Sequence, residues 1–283
     1  MRRKSGFTIL ELALAMAFIS FLLLAIGLVT VQVSRIYEKG ITIKMVNSNG
    51  RELVDEFSRT ILASRYDKAE DNNGEHFEYT YTGQTYGDVE VRGEEKDVPL
   101  FGAFCTGHYS YIWNTGYAIN LPDTDENQAK KARLIIEKND GTETEVRAPG
   151  DFRLIRINDA SHEVCINYVK DNDLSNKDES LHGHGNTFRV ENDPSSNIVD
   201  LISESDSDLV LYDLVFYKPA LDVGTGDALF SASFILGTTK GDIDITTAGD
   251  YCKSSPDQLN TDFTYCSINK FNFAARATGG IML

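Results

Sequence analysis

A run of 23 residues without a charge, 12–34, stands almost at the start of this chain and constrains it more than any other feature. As a helix rising ~1.5 Å per residue it spans roughly 35 Å, enough to cross the hydrocarbon of a bilayer. Three cations precede it in Met1-Arg2-Arg3-Lys4-Ser5-Gly6, and a large acidic region follows. That arrangement predicts a cytoplasmic N-terminus and an exported remainder. A secretory signal peptide would have a shorter apolar stretch and a small-residue cleavage site behind it, for which Ala25-Ile26-Gly27 is a poor candidate. A plain signal anchor fits the length and the flanks but leaves Glu11 unexplained. An ionisable group at the edge of such a segment is expensive to desolvate and calls for a partner. The simpler alternative is a glutamate that snorkels to the membrane edge.

Gly6 followed by Phe7-Thr8-Ile9-Leu10-Glu11 and an unbroken apolar helix resembles the N-terminus of type IV prepilins and the related pseudopilins. The resemblance implies that a prepilin peptidase cuts between Gly6 and Phe7 and that the new terminus at Phe7 is N-methylated. It also implies that Glu11, fifth in the mature chain, pairs with the Phe7 amine of a neighbouring subunit. In a low dielectric such pairing neutralises the carboxylate and sets the axial register between subunits. The implied partners are other pilin subunits through the helix, the peptidase and methylase, the assembly platform, and the membrane before assembly. The chain is then the substrate of a processing enzyme and not an enzyme. The expectation is a structural subunit of a type IV pilus, a minor pilin. The alternatives are a pseudopilin of a type II secretion or DNA-uptake system and a membrane-anchored binding protein that never polymerises.

Periodicity continues past the apolar run. Ile36, Ile43, Val46, Gly50, Leu53, Val54, Phe57, Ile61 and Leu62 recur mostly at spacings of three or four with charges between them, the pattern of an amphipathic helix. The reading is a basic leader over 1–6, the membrane half of a spine helix over 7–34, its amphipathic half over 35–65, and an exported β-rich head over 66–283. Many members of the resembled family carry a proline near the end of the apolar run. Here there is none, and the weak points are Gly27 and Gly40, each costing ~1 kcal/mol relative to alanine.

The formal net charge is −16, and residues 66–283 alone carry 18 basic and 38 acidic side chains. So acidic a head is a poor partner for nucleic acid, which is gripped by clustered Lys and Arg. Short alternating runs at 77–82, 98–104, 109–113, 133–137, 152–157, 163–169, 209–217, 229–236 and 270–277 predict strands, and Asn139-Asp140-Gly141 predicts a hairpin turn. Without βαβ alternation the expected class is α+β, a mainly antiparallel sheet packed on the spine helix; the resemblance implies the same pilin-like plan. A head of this size is large for a major pilin, which within the family favours a minor pilin or a pseudopilin. Polar stretches at 67–75, 122–131, 171–186 and 191–194 read as surface loops.

Export makes disulfides plausible for Cys105, Cys165, Cys252 and Cys266, with three pairings open. The expected pair is Cys252–Cys266, closing a short loop near the C-terminus, which leaves Cys105 with Cys165. A C-terminal disulfide loop recurs in pilins, and the resemblance supports the first pair. Asp171 with Asp173, and Asp123 with Asp125, set oxygen ligands at alternate positions as some calcium loops do, but lack the glycine and terminal glutamate of an EF-hand. A solvated acidic loop is the simpler reading, so calcium is only a weak expectation and no other cofactor is indicated. His182 and His184 have no third ligand nearby. Phosphate-loop, dinucleotide, nucleophile-elbow and zincin motifs are missing. Tyr109 to Trp113 offers an aromatic run that reads first as strand and core.

Overall fold

The computed structural model describes residues 8–63, 65–66, 68–70, 76–78, 82–91, 93–106, 109–137, 142–159, 164, 167–168, 185–190, 198–202, 208–221, 228–239 and 266–279. One helix, α1 (Ile9–Ala63), takes up 55 of them. At ~1.5 Å per residue it is about 82 Å long. It passes without a break through Gly27 and Gly40, where an added Cβ would meet nothing within 4 Å. Hydroxyls in the apolar run bond back to their own helix, Ser20 Oγ donating to the Met16 carbonyl and Thr30 Oγ1 to that of Ile26, each at 2.9 Å. These two hydroxyls therefore need no water, which suits a lipid-immersed segment. Every side chain from 9 to 37 is exposed, and the first fully buried one is Val46.

Among the described residues the head is built from strands of 2 to 13 residues in four sheets. β1 (Arg65–Tyr66) follows the helix directly and pairs in parallel with the last strand, β14 (Ile268–Gly279). β14 pairs antiparallel with β13 (Ala228–Thr238), and β13 with β12 (Leu209–Leu221). A five-stranded antiparallel sheet runs in the order β11 (Ile198–Ile202), β9 (Leu154–Asn158), β6 (Tyr109–Asn114), β5 (Glu94–Thr106), β4 (Thr82–Val91). A third sheet joins β10 (Thr187–Val190), β7 (Arg133–Glu137) and β8 (Glu143–Arg147). A small pair, β2 (Lys68–Glu70) and β3 (His76–Glu78), follows β1. Two short helices, α2 (Gly116–Ile119) and α3 (Asp125–Gln128), are N-capped by Thr115 and Thr124. The layout is α+β, a long N-terminal apolar helix packed on largely antiparallel sheet.

Alternation along the strands sorts the core into two layers. In the five-stranded sheet Phe104, Tyr111, Trp113 and Leu154 lie in the cluster that includes the helix residues Val46, Leu53, Phe57 and Ile61. The residues between them, Ala103, Ile112 and Ile155, lie in the other cluster with Leu134, Ile136, Phe188 and Val190 of the three-stranded sheet. Phe230, Ala232, Phe234 and Ala275 bring β13 and β14 into the helix cluster, with Phe271 and Phe273 packed beside it. The two larger sheets meet where β4 lies against β12. There Gln84 acts as a substitute strand: its Oε1 accepts the Leu214 N–H at 3.2 Å and its Nε2 donates to Asp213 Oδ1 at 3.1 Å. Both strands are bulged beside this point, at Thr85/Tyr86 and at Leu211/Asp213.

Several expectations change, beginning with the spine helix, which ends at Ala63 with Arg65 already in β1, and the strand at 77–82, which falls across the end of β3 and the start of β4. The run at 163–169 is not a strand where it is described: Val164, Asn167 and Tyr168 are helical. Val164 and Tyr168, four apart, are both buried in the second cluster, and Tyr168 stacks on Phe188 with ring centroids 4.4 Å apart. The apolar residues there follow a helical period. Within 67–75 the residues of β2 pair with β3 instead of remaining loop, and within 122–131 Thr124 caps the single turn of α3.

Candidate functional site

The tip of the spine begins at Thr8, because Gly6 and Phe7 lie outside the described residues. Thr8 is the helix N-cap: its carbonyl accepts the first helical bond, from Leu12 N–H at 3.2 Å. Its Oγ1 accepts the Glu11 N–H at 3.3 Å. In return Glu11 Oε2 accepts from Thr8 N–H at 2.9 Å and from Thr8 Oγ1 at 3.0 Å. This reciprocal arrangement is a capping box, in which two donors left over at a helix start are satisfied by side chains three residues apart. Thr8-Ile9-Leu10-Glu11 carries the S/T-x-x-E signature, so this role of Glu11 was visible in the sequence; reading Glu11 solely as an ion-pairing group missed it. Both bonds use Oε2. Among the described residues Oε1 has no hydrogen bond.

The other end of the spine is seated in the head by a series of contacts. Phe57 is the centre, with Tyr111 edge-on at 5.0 Å, Phe216 edge-on at 5.6 Å and Phe273 stacked at 5.7 Å between centroids. Next to it, the buried Tyr111 hydroxyl donates to Thr60 Oγ1 at 2.7 Å. Burial pushes the Tyr111 phenol well above the usual tyrosine range, the bond to Thr60 opposing the shift. Arg156 on β9 forms an ion pair through Nη1 with Glu56 Oε1, and its Cζ lies 4.8 Å from the Tyr109 ring centroid. Toward the neck, Asn269 Nδ2 donates to Asn47 Oδ1 at 2.7 Å. At Gly50 the Phe271 ring of β14 lies directly against the helix, since a Cβ there would sit 2.1 Å from Phe271 Cζ. Only glycine admits the ring tip at that position.

Comparison with protein-family models, with curated proteins and with solved structures finds no match.

The remaining sequence candidates divide cleanly. Cys105 on β5 and Cys266 ahead of β14 are both disulfide-bonded, and no described cysteine is free; Cys165 and Cys252 lie outside the described residues. Asp123 and Asp125 are exposed, the carboxylate of Asp123 accepting from Gln128 Nε2 and Asp125 sitting in the first turn of α3. Among the described residues no group of three or more His, Cys, Asp or Glu is placed to hold a metal. Asp171, Asp173, His182 and His184 lie outside them. Tyr111, Ile112 and Trp113 are buried, facing the two core layers in turn. α1 is, among the described residues, the one helix long and apolar enough to cross a membrane.

Proposed function

We propose that this chain is a membrane-anchored filament subunit of the type IV pilin kind, a minor pilin, drawn from the bilayer into a bundle by its spine helix. One observation carries the reading: a single capped helix is bare from 9 to 37 and seated by its far end in a β-rich head. An 82 Å rod is far more than is needed to anchor a domain or to cover a sheet. The bare half matches a part that exchanges lipid for copies of itself, and the seated half transmits that position to the head. The Glu11 Oε1 left open at the tip is where the Phe7 amine of a neighbour would bind, while Oε2 keeps the cap. Disulfide-bonded Cys105 and Cys266 favour a head in an oxidising compartment, outside the cytoplasm.

The test is mass spectrometry of the protein from cells with and without prepilin peptidase. The expected mature chain starts at Phe7 with an added methyl group and appears only when the peptidase is present; an unprocessed N-terminus in both would defeat the proposal. The size of the head also suits a pseudopilin of a secretion or uptake machine. The two are separated by shearing cells: a pilus subunit leaves with the surface fibres, whereas a pseudopilin stays with the cell.

A further inference from the structure

Between the end of the uncharged run at Ser34 and the first buried side chain, Val46, the helix passes through residues 35–45. They hold three cations, Arg35, Lys39 and Lys44, against one anion, Glu38, together with Ile36, Tyr37, Ile41 and Ile43. Ile36 is 73% exposed and Tyr37 69%. At ~100° per residue, Arg35 and Lys39 project from the side that farther along carries Val46, Leu53 and Phe57 into the head. Tyr37, Ile41 and Lys44 project from the opposite side, and Ile36 and Ile43 from between. Cations and apolar groups therefore occupy most of the circumference, and the remaining flank holds Glu38, Thr42 and Met45, each partly covered. A groove in a second protein would select one apolar stripe along the helix. A mixture spread over the several exposed sides fits surroundings that offer apolar and anionic groups together on each of them. The headgroup layer of a bilayer offers that, and there aromatic rings and snorkelling cations settle.

We infer that residues 35–45 form an interfacial collar that gathers anionic phospholipid around the base of the head. The heights agree. The neck rises ~16 Å, so Arg35, Tyr37 and Lys39 lie at headgroup level directly above the uncharged run. The inference rests on the membrane reading of the span and is independent of filament assembly.

The full chain, reconstituted in mixed phosphatidylcholine and phosphatidylglycerol vesicles with one lipid brominated, tests it. Trp113 is the sole tryptophan and is buried in the head, so the parent chain supplies the unquenched baseline. Phe21→Trp should be quenched by bromines deep in the acyl chains. Tyr37→Trp should be quenched about twofold more by bromines near the headgroup than by deep ones. It should also respond about fivefold more to brominated phosphatidylglycerol than to brominated phosphatidylcholine at equal dilution, from ~1 kcal/mol for each cation at the surface. Changing Arg35, Lys39 and Lys44 together to Gln should erase that preference and leave the Phe21→Trp signal intact. Quenching at Phe21→Trp without quenching at Tyr37→Trp, or with no regard for lipid charge, overturns the collar alone. No quenching at Phe21→Trp overturns the membrane reading and the collar with it.

Discussion

Replacing Gly50 by alanine sets two effects of known size against each other. Alanine in a helix interior is favoured over glycine by ~1 kcal/mol, so on propensity alone the variant would be more stable. The structure predicts the opposite. The new methyl would meet Phe271 at 2.1 Å, with the two neighbouring ring carbons at 2.3 and 2.6 Å. A comfortable carbon–carbon contact is ~3.5–4 Å, so the ring tip must retreat by about 1.5 Å. Behind it stands Phe234, stacked at 5.0 Å between centroids. Overpacking of this kind costs typically ~1–3 kcal/mol. Net of the propensity gain, Gly50→Ala should destabilise the head by about 1 kcal/mol, a fall in midpoint of ~2–4 °C for a domain of this size. Trp113 lies in the same core cluster as the seated helix, so its emission in the detergent-solubilised full chain reports the transition. Phe271→Ala should relieve the clash, leaving a favourable coupling of ~1 kcal/mol or more in the double-mutant cycle. A higher midpoint for Gly50→Ala alone, or a coupling near zero, would refute the close approach of helix and β14.

Other perturbations separate roles that coincide in the native chain. Glu11→Gln keeps an acceptor for the capping box but removes the charge, whereas Glu11→Ala removes both; both should insert in the membrane and fail to enter filaments, and normal incorporation of Glu11→Gln in sheared fibres would reduce Glu11 to a cap. Arg156→Met, which strands Glu56 in a half-buried site, should cost ~1–2 kcal/mol by chemical denaturation, and pairing it with Glu56→Gln should recover part of that loss. Burial raises the Asp213 carboxyl above its ordinary range, opposed by the Gln84 amide, Lys270 and the Leu214 N–H, with Tyr86 also facing it. A raised folded value means that its stability contribution is present at acid pH and lost as pH rises through that value. Asp213→Asn should therefore flatten this part of the profile and be the more stable chain at neutral pH, as read by paired thermal melts from pH 3 to 7. Non-reducing peptide mapping should recover Cys252 linked to Cys266 and Cys105 to Cys165, and reduction should lower stability by ~2–4 kcal/mol per bond.

The spine was legible because its signals are local: an uncharged run, then apolar residues at helical spacing with Gly50 already in the stripe. Strands at the centre of the head were legible for the same reason, since β6 and β7 alternate between two buried faces. The strands that escaped notice, β1, β2, β4, β8, β10 and β11, are short, glycine-interrupted or exposed. In Glu143–Arg147 only Val146 packs against the core, so no period marks the strand, and pairing with a distant partner defines it. The misread segment around Val164 failed because spacing of two and spacing of four cannot be told apart over so few residues. At the tip, the pairing role of Glu11 came from resemblance, whereas its capping role needed only the threonine three residues earlier.

The Gln84 seam bears on solubility. Where two sheets end side by side, each leaves a row of unspent amide and carbonyl groups able to recruit a strand from any passing chain. Here those borders face each other, and a glutamine amide occupies the gap between them. The molecule thus offers fewer exposed strand borders to a passing chain than its two sheets would if they stood apart.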